Sequence, residues 1–172
     1  MTAQLPIDIQ HRQAVTAIHG IVAAGPGLQA VGLGSYALAS TATNAAVAVG
    51  YGAGQNNTTG YFTAVGYKAG RYAGTGTAPN ETSTGSTYLG QNTRASADGV
   101  SDETVVGYSA IGGGSNTVTL GGAVVTHWLP GATNTCSIGR ADRAFQDLYL
   151  HDGTDEWRVT IDSSGALNTA KV

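Results

Sequence analysis

Charge is scarce in this chain: 8 Lys and Arg and 11 Asp and Glu among 172 residues, for a formal net charge of −3. That scarcity argues against two classes. Disordered segments are usually highly charged, and nucleic-acid binders gather Lys and Arg into a patch, whereas Arg12, Lys68, Arg71, Arg94, Arg140, Arg143, Arg158 and Lys171 are scattered. Long apolar runs are missing too. None is long enough to cross a bilayer and no basic stretch leads into an apolar one at the start, so neither a spanning helix nor a signal peptide is expected, and the product should stay where it is made. Cysteine is reduced to Cys136, with no intrachain partner and no His or Cys beside it at metal-ligand spacing; it reads as a small buried hydrophobe. His11, His19, His127 and His151 are dispersed, without a His-x-x-x-His pair, so no zinc-hydrolase site is expected.

Aromatics are few, at 7%, and glycine is abundant, at 26 residues. With many Ala, Thr, Ser and Asn, this mixture suits short strands and tight turns rather than helices. A monomer would have a thin core. The chain's main feature is a repeat, clearest in Thr63-Ala64-Val65-Gly66-Tyr67-Lys68-Ala69-Gly70. An aliphatic residue followed by glycine returns at Val31-Gly32, Val49-Gly50, Leu89-Gly90, Val106-Gly107, Leu120-Gly121 and Ile138-Gly139. The spacing of these seven glycines is uneven, shortest between Gly107 and Gly121 and longest between Gly66 and Gly90. Intervals of this order are the length of a solenoid rung.

Neighbouring residues on a strand point to opposite faces. In Ala30/Val31, Ala48/Val49, Ala64/Val65, Tyr88/Leu89 and Val105/Val106 both are apolar. One face is therefore expected to pack inside the rung and the other against a neighbouring chain, which predicts an oligomer. The second face weakens at Thr119/Leu120 and Ser137/Ile138. Residues 55–62 and 71–85 are polar, turn-rich insertions, expected as surface loops on a binding face. Tyr61, Phe62 and Tyr72 flank them and read either as receptor-binding aromatics or as pins holding the loops to the wall.

Motifs with chemical potential give way to simpler readings. Gly32-Leu33-Gly34-Ser35-Tyr36-Ala37 matches a dinucleotide fingerprint, but no helix follows and no Asp or Glu lies between Asp8 and Glu81, so no cofactor is expected. Asp98, Asp102 and Glu103 lie close together as glycosidase carboxylates do, yet in a polar turn where solvated acids are the rule. Asp152, Asp155 and Glu156 match no complete calcium loop, so no metal site is expected there. Asn57-Thr58-Thr59 and Asn80-Glu81-Thr82 fit the glycosylation pattern, which means little without a secretion signal.

The segment Ser109-Ala110-Ile111-Gly112-Gly113-Gly114-Ser115-Asn116-Thr117-Val118-Thr119-Leu120-Gly121 resembles the head repeat of trimeric autotransporter adhesins (YadA-like), repeats also found in bacteriophage tail-fibre and other virion-fibre proteins. The resemblance covers about residues 28 to 139. It implies an all-β fold, a trimeric parallel β-roll or β-solenoid of short rungs, with Val31, Val49, Val65, Leu89, Val106, Leu120 and Ile138 as the trimer core. On a threefold axis, an inward His11 would present three imidazoles to a metal or anion. Ser137-Ile138-Gly139-Arg140-Ala141-Asp142-Arg143-Ala144-Phe145-Gln146-Asp147-Leu148-Tyr149-Leu150 resembles a phage-fibre segment, with Phe145 in place of the usual Trp. Asp152-Gly153 and Ser163-Ser164-Gly165 then supply turns around the half-buried strand Trp157–Ile161.

The expected organisation is an attachment or capping segment over residues 1–27, a repeat β-solenoid over 28–139 and a C-terminal β-hairpin cap over 140–172. In the first, Ile7, His11, Ala14 and Ile18 suit a short helix capped by Asp8, while Leu5, Ile7 and Ile9 alternate as a strand does. The resemblance implies a non-enzymatic structural fibre or tail-tip protein of a phage virion, a homotrimer joined to another virion protein through its N-terminal segment. It would bind a host surface glycan or protein, without nucleic acid or membrane insertion. A head fragment of a bacterial adhesin is the alternative, although that version needs a signal peptide and a membrane barrel, and a glycan depolymerase is a third.

Overall fold

The computed structural model describes residues 21–23, 30–40, 45–129, 148–151, 154–162 and 164–172. The chain divides into two units, Met1–Thr126 and His127–Val172. Among the described residues all regular structure is β. The expectations for residues 1–20, including His11, and for Cys136, Ile138 and Gly139 lie outside the described residues.

The first unit is a β-solenoid of about five turns. Strand β1 (Ile21–Ala23) pairs antiparallel with β2 (Ala30–Leu33), and from β2 onward every neighbour is parallel. The stack continues through β3 (Ala46–Val49) and β4 (Phe62–Val65). A short antiparallel pair, β5 (Tyr72–Ala73) with β6 (Ala78–Pro79), then leaves the wall. The stack resumes with β7 (Ser86–Leu89), β8 (Thr104–Val106) and β9 (Val118–Leu120).

Alternation assigns the faces. Ala46, Ala48, Phe62, Ala64, Ser86, Tyr88 and Val105 point inward and are buried, while Val47, Leu33, Leu89 and Leu120 point outward and remain exposed. After β2, β3, β4, β7 and β8 the chain turns by one repeated device. The glycine donates to the rung before it, as in Gly66 N to Val49 O at 2.8 Å and Gly90 N to Val65 O at 2.8 Å. Two residues later the backbone takes a positive φ, at Tyr36, Gly52, Lys68, Asn92 and Ser109. The next residue donates back to the glycine carbonyl, as in Ala69 N to Gly66 O at 3.2 Å, closing a four-residue turn. That next residue is Ala37, Ala53, Ala69, Thr93 or Ala110, each fully buried.

The interior is therefore narrow and rich in alanine. Its largest side chains are admitted by missing ones: a Cβ on Gly54 would collide with the Phe62 ring, and one on Gly70 with the Tyr88 ring. Close packing of this kind leaves little tolerance for added atoms.

The observed register corrects one sequence alignment. Ala30-Val31-Gly32 pairs with Ala46-Val47-Ala48, so Gly34, not Gly32, heads the glycine column and the first interval runs from Gly34 to Gly50. Gly32 occupies an inward seat where other rungs place Ala48 and Ala64. The aliphatic-glycine pattern thus matched two positions early. Leu33 shares a column with Val49, and Val31 belongs to the adjacent outward column with Val47.

In the second unit, β10 (Leu148–His151), β11 (Glu156–Ile161) and β12 (Leu167–Lys171) form an antiparallel sheet in sequence order. The expected hairpin is thus one half of a three-stranded meander. Lys171 Nζ pairs with Asp155 at 2.6 Å. At the β11–β12 turn, the Ser164 hydroxyl, the Asn168 amide and the backbone N–H of Ala166 and Ser164 hold the Asp162 carboxyl well below the usual carboxylate range.

Candidate functional site

The solenoid's outer sheet face carries two neighbouring columns. One is Leu33, Val49, Val65, Leu89, Val106 and Leu120 without interruption; the other is Val31, Val47, Thr63, Thr87, Thr104 and Val118. The first contains six of the solenoid's aliphatic side chains in consecutive register. Leu33, Leu89 and Leu120 are 42%, 46% and 44% exposed. Isolated apolar residues on a surface are ordinary, but a continuous stripe marks an interaction face. Five of the residues named for a trimer core, Val49, Val65, Leu89, Val106 and Leu120, lie in this one column.

The three aromatic candidates separate. Tyr61 is exposed with φ of 55° and borders an open groove of about 360 Å³ with Val47, Thr63, Ser86 and Thr87. Phe62 is a correction: its ring lies in the interior at 5% exposure, because alternation along β4 places it on the same side as Ala64, and it presents no surface for a receptor. Tyr72 is half-buried on β5, with the Arg71 guanidinium 4.8 Å and the Arg94 guanidinium 5.9 Å from its ring centre. Tyr61 and Tyr72 share no ring contact among the described residues.

Both insertions are anchored rather than loose. Asn57 is buried; its Oδ1 accepts from Gly60 N at 2.9 Å and Thr59 N at 3.1 Å, and its Nδ2 donates to Ser83 O at 2.8 Å. Asn80 is equally buried and donates to Gly70 O at 3.0 Å. Both glycosylation-pattern asparagines are therefore internal braces. Asn57→Ala should cost about 2–3 kcal/mol, because it strands buried backbone groups, read as a lower urea midpoint with unchanged slope; a midpoint equal to wild type would refute the bracing role. The β5–β6 pair is held at its root by a bridge between Ala73 and Ala95, and Arg94 Nη1 donates to Thr75 O at 2.9 Å and also to Gly76 O.

The acidic turn also differs from expectation. Glu103 is not solvated but fully buried, because Ser96 N at 3.3 Å and Gly114 N at 3.0 Å donate to its carboxylate and the Tyr88 hydroxyl lies 3.5 Å away. Burial pushes the Tyr88 phenol up; the Ser83 and Ser86 hydroxyls oppose that and the Glu103 carboxylate adds to it. Asp98 accepts from Glu81 N at 2.7 Å and Thr82 N at 2.8 Å. Desolvation alone would raise its pKa, but the Thr82 and Glu81 N–H groups outweigh it and the carboxyl sits below its ordinary value. Glu103 faces the interior while Asp98 and Asp102 are exposed, so Glu103 does not share an open surface with the other two. No group of three His, Cys, Asp or Glu among the described residues has a metal-binding arrangement.

Sequence reasoning missed a row of tyrosines at the first corner. Tyr51 and Tyr67 each follow a rung glycine and stack at 5.5 Å with 15° between planes, and Tyr36 meets Tyr51 edge-on at 5.6 Å. Lys68 Nζ lies 4.9 Å over the Tyr67 ring. The signal was present as Gly50-Tyr51, Gly66-Tyr67 and Gly107-Tyr108, readable once the glycines are aligned by rung.

Comparisons of the chain with known protein families, curated proteins and solved structures return no match.

Proposed function

We propose that this protein is a structural fibre or tail-tip component of a phage virion, a homotrimer that mediates attachment to a host surface rather than catalysis. The observation that carries the oligomer is the unbroken outward stripe from Leu33 to Leu120. A parallel sheet is normally covered on both faces; here the inner face is covered by the rung and the outer face is left for other copies. Three copies related by a threefold axis would bring identical stripes together. The virion assignment rests on the sequence resemblance of residues 28–139 to fibre repeats and of residues 137–150 to a phage-fibre segment. Threefold display of weak contacts would raise avidity without a strong single site.

Light scattering on the purified chain should give the mass of about three chains, resistant to mild denaturant. Leu89→Arg should leave the rung's hydrogen-bond ladder intact, since the side chain points out, yet place three guanidinium groups at the interface and shift the mass to one chain. A wild-type mass of one chain would sink the trimer.

A further inference from the structure

The described part of the solenoid contains three cationic side chains, Lys68, Arg71 and Arg94. They converge. A Cβ on Gly52, one rung before Lys68, would lie 3.5 Å from Arg71 Nη1 and 3.6 Å from Lys68 Cγ, so both side chains reach over the same glycine. Arg71 and Arg94 both approach the Tyr72 ring, and Lys68 lies over Tyr67. No carboxylate among the described residues pairs with any of the three. Asp98 accepts two backbone N–H groups instead, and Glu103 is buried.

The Arg94 guanidinium and the Arg71 backbone are fixed in place. Arg94 is tethered through Nη1 to the carbonyls of Thr75 and Gly76, which leaves Nε and Nη2 to donate elsewhere. Arg71 Nε is buried without a hydrogen-bond partner, and the Arg71 carbonyl accepts from Asn56 Nδ2 at 2.9 Å and Asn80 N at 3.1 Å. A tethered guanidinium such as that of Arg94 loses little freedom on binding. Around them are the exposed ring of Tyr67 and the exposed hairpin residues Thr75 and Thr77.

We infer that this corner, Lys68, Arg71 and Arg94 beside Tyr67 and Tyr72, binds a carboxylate-bearing polysaccharide. The guanidinium fork matches a carboxylate in two parallel hydrogen bonds, Tyr67 offers an apolar edge to a sugar ring, and the threonines supply hydroxyls for the remaining sugar oxygens. Three cations in a chain of net charge −3 are too few for a nucleic-acid footprint. The inference names a ligand class for the attachment reading and rests on that reading only for its biological purpose; the binding requires neither a trimer nor a virion.

Calorimetric titration of the full chain with oligogalacturonate, neutral dextran and dextran sulfate tests it. Oligogalacturonate should bind with an affinity that falls as salt rises, and neutral dextran should not bind. Lys68→Asn, which keeps a residue tolerant of the positive φ at that position, should weaken oligogalacturonate about tenfold, the scale of one lost charge-assisted contact. Arg71→Lys should also weaken it, since an ammonium lacks the fork. Absence of oligogalacturonate binding, equal binding by wild type and Lys68→Asn, or binding of dextran sulfate alone would each overturn the assignment. If Lys68→Asn loses the glycan but host adsorption is unchanged, the attachment reading fails and the glycan site stands.

Discussion

Gly50→Ala should lower the stability of the solenoid by about 4 kcal/mol, composed of roughly 1–3 for a side chain forced to a positive φ and roughly 1–3 for overpacking. The φ at Gly50 is 127°, and an added Cβ would stand 2.5 Å from the carbonyl oxygen of Gly66 in the next rung. Neither problem has a local escape, because the colliding atom is backbone already held in the turn by Ala69 N. Two other glycines separate the contributions. Gly114 has φ of 120° but open space around its missing Cβ, so Gly114→Ala should show the conformational part alone. Gly76 has neither a positive φ nor a neighbour within 4 Å, so Gly76→Ala should change little. Urea midpoints in the order Gly76→Ala, Gly114→Ala, Gly50→Ala, highest to lowest, would support this account. A Gly50→Ala midpoint near that of Gly76→Ala would refute it.

Glu103→Ala should cost about 3–5 kcal/mol, since it removes the acceptor for the part-buried N–H groups of Ser96 and Gly114 and leaves a void beside Tyr88. Glu103→Gln, which keeps the shape and one acceptor oxygen, should cost less. The neighbouring Gly112 gives a sharper test. An alanine there would overlap the Glu103 carboxylate, while the Gly112 backbone itself has no positive φ. Gly112→Ala should therefore be harmful alone and nearly harmless once Glu103 is alanine. A double-mutant cycle in which the two losses simply add would mean that the carboxylate is not what Gly112 makes room for.

The class of fold was legible because a solenoid writes its period into the chain. Val49-Gly50, Val65-Gly66, Leu89-Gly90, Val106-Gly107 and Leu120-Gly121 all fall in register. The first rung was misaligned because its inward seat holds Gly32, so two glycines flank Leu33 and the pattern fits either. Phe62 was misplaced for a related reason: the polar run before it suggested a loop, whereas strand alternation from Ala64 back to Phe62 decides which way the ring points. Glu103 offered no sequence clue at all. Its burial depends on Ser96 N and Gly114 N, supplied by turns before and after it, and those meet only when the rungs stack. The Lys68, Arg71 and Arg94 group was hidden similarly, because Arg71 lies far from Arg94 in sequence and the two share the Tyr72 ring only through consecutive rungs, while Lys68 joins Arg71 over Gly52.

The uneven rung intervals acquire a use in this arrangement. Successive strands stand about 4.8 Å apart whatever the length of chain between them. The stretch from Gly66 to Gly90 is much longer than that from Gly107 to Gly121, yet each advances the stack by one strand. Height along the stack is thus counted in rungs, and residues added within a rung, such as the β5–β6 pair, change its girth and surface chemistry. New recognition features can be grafted sideways while the ladder above and below keeps its register.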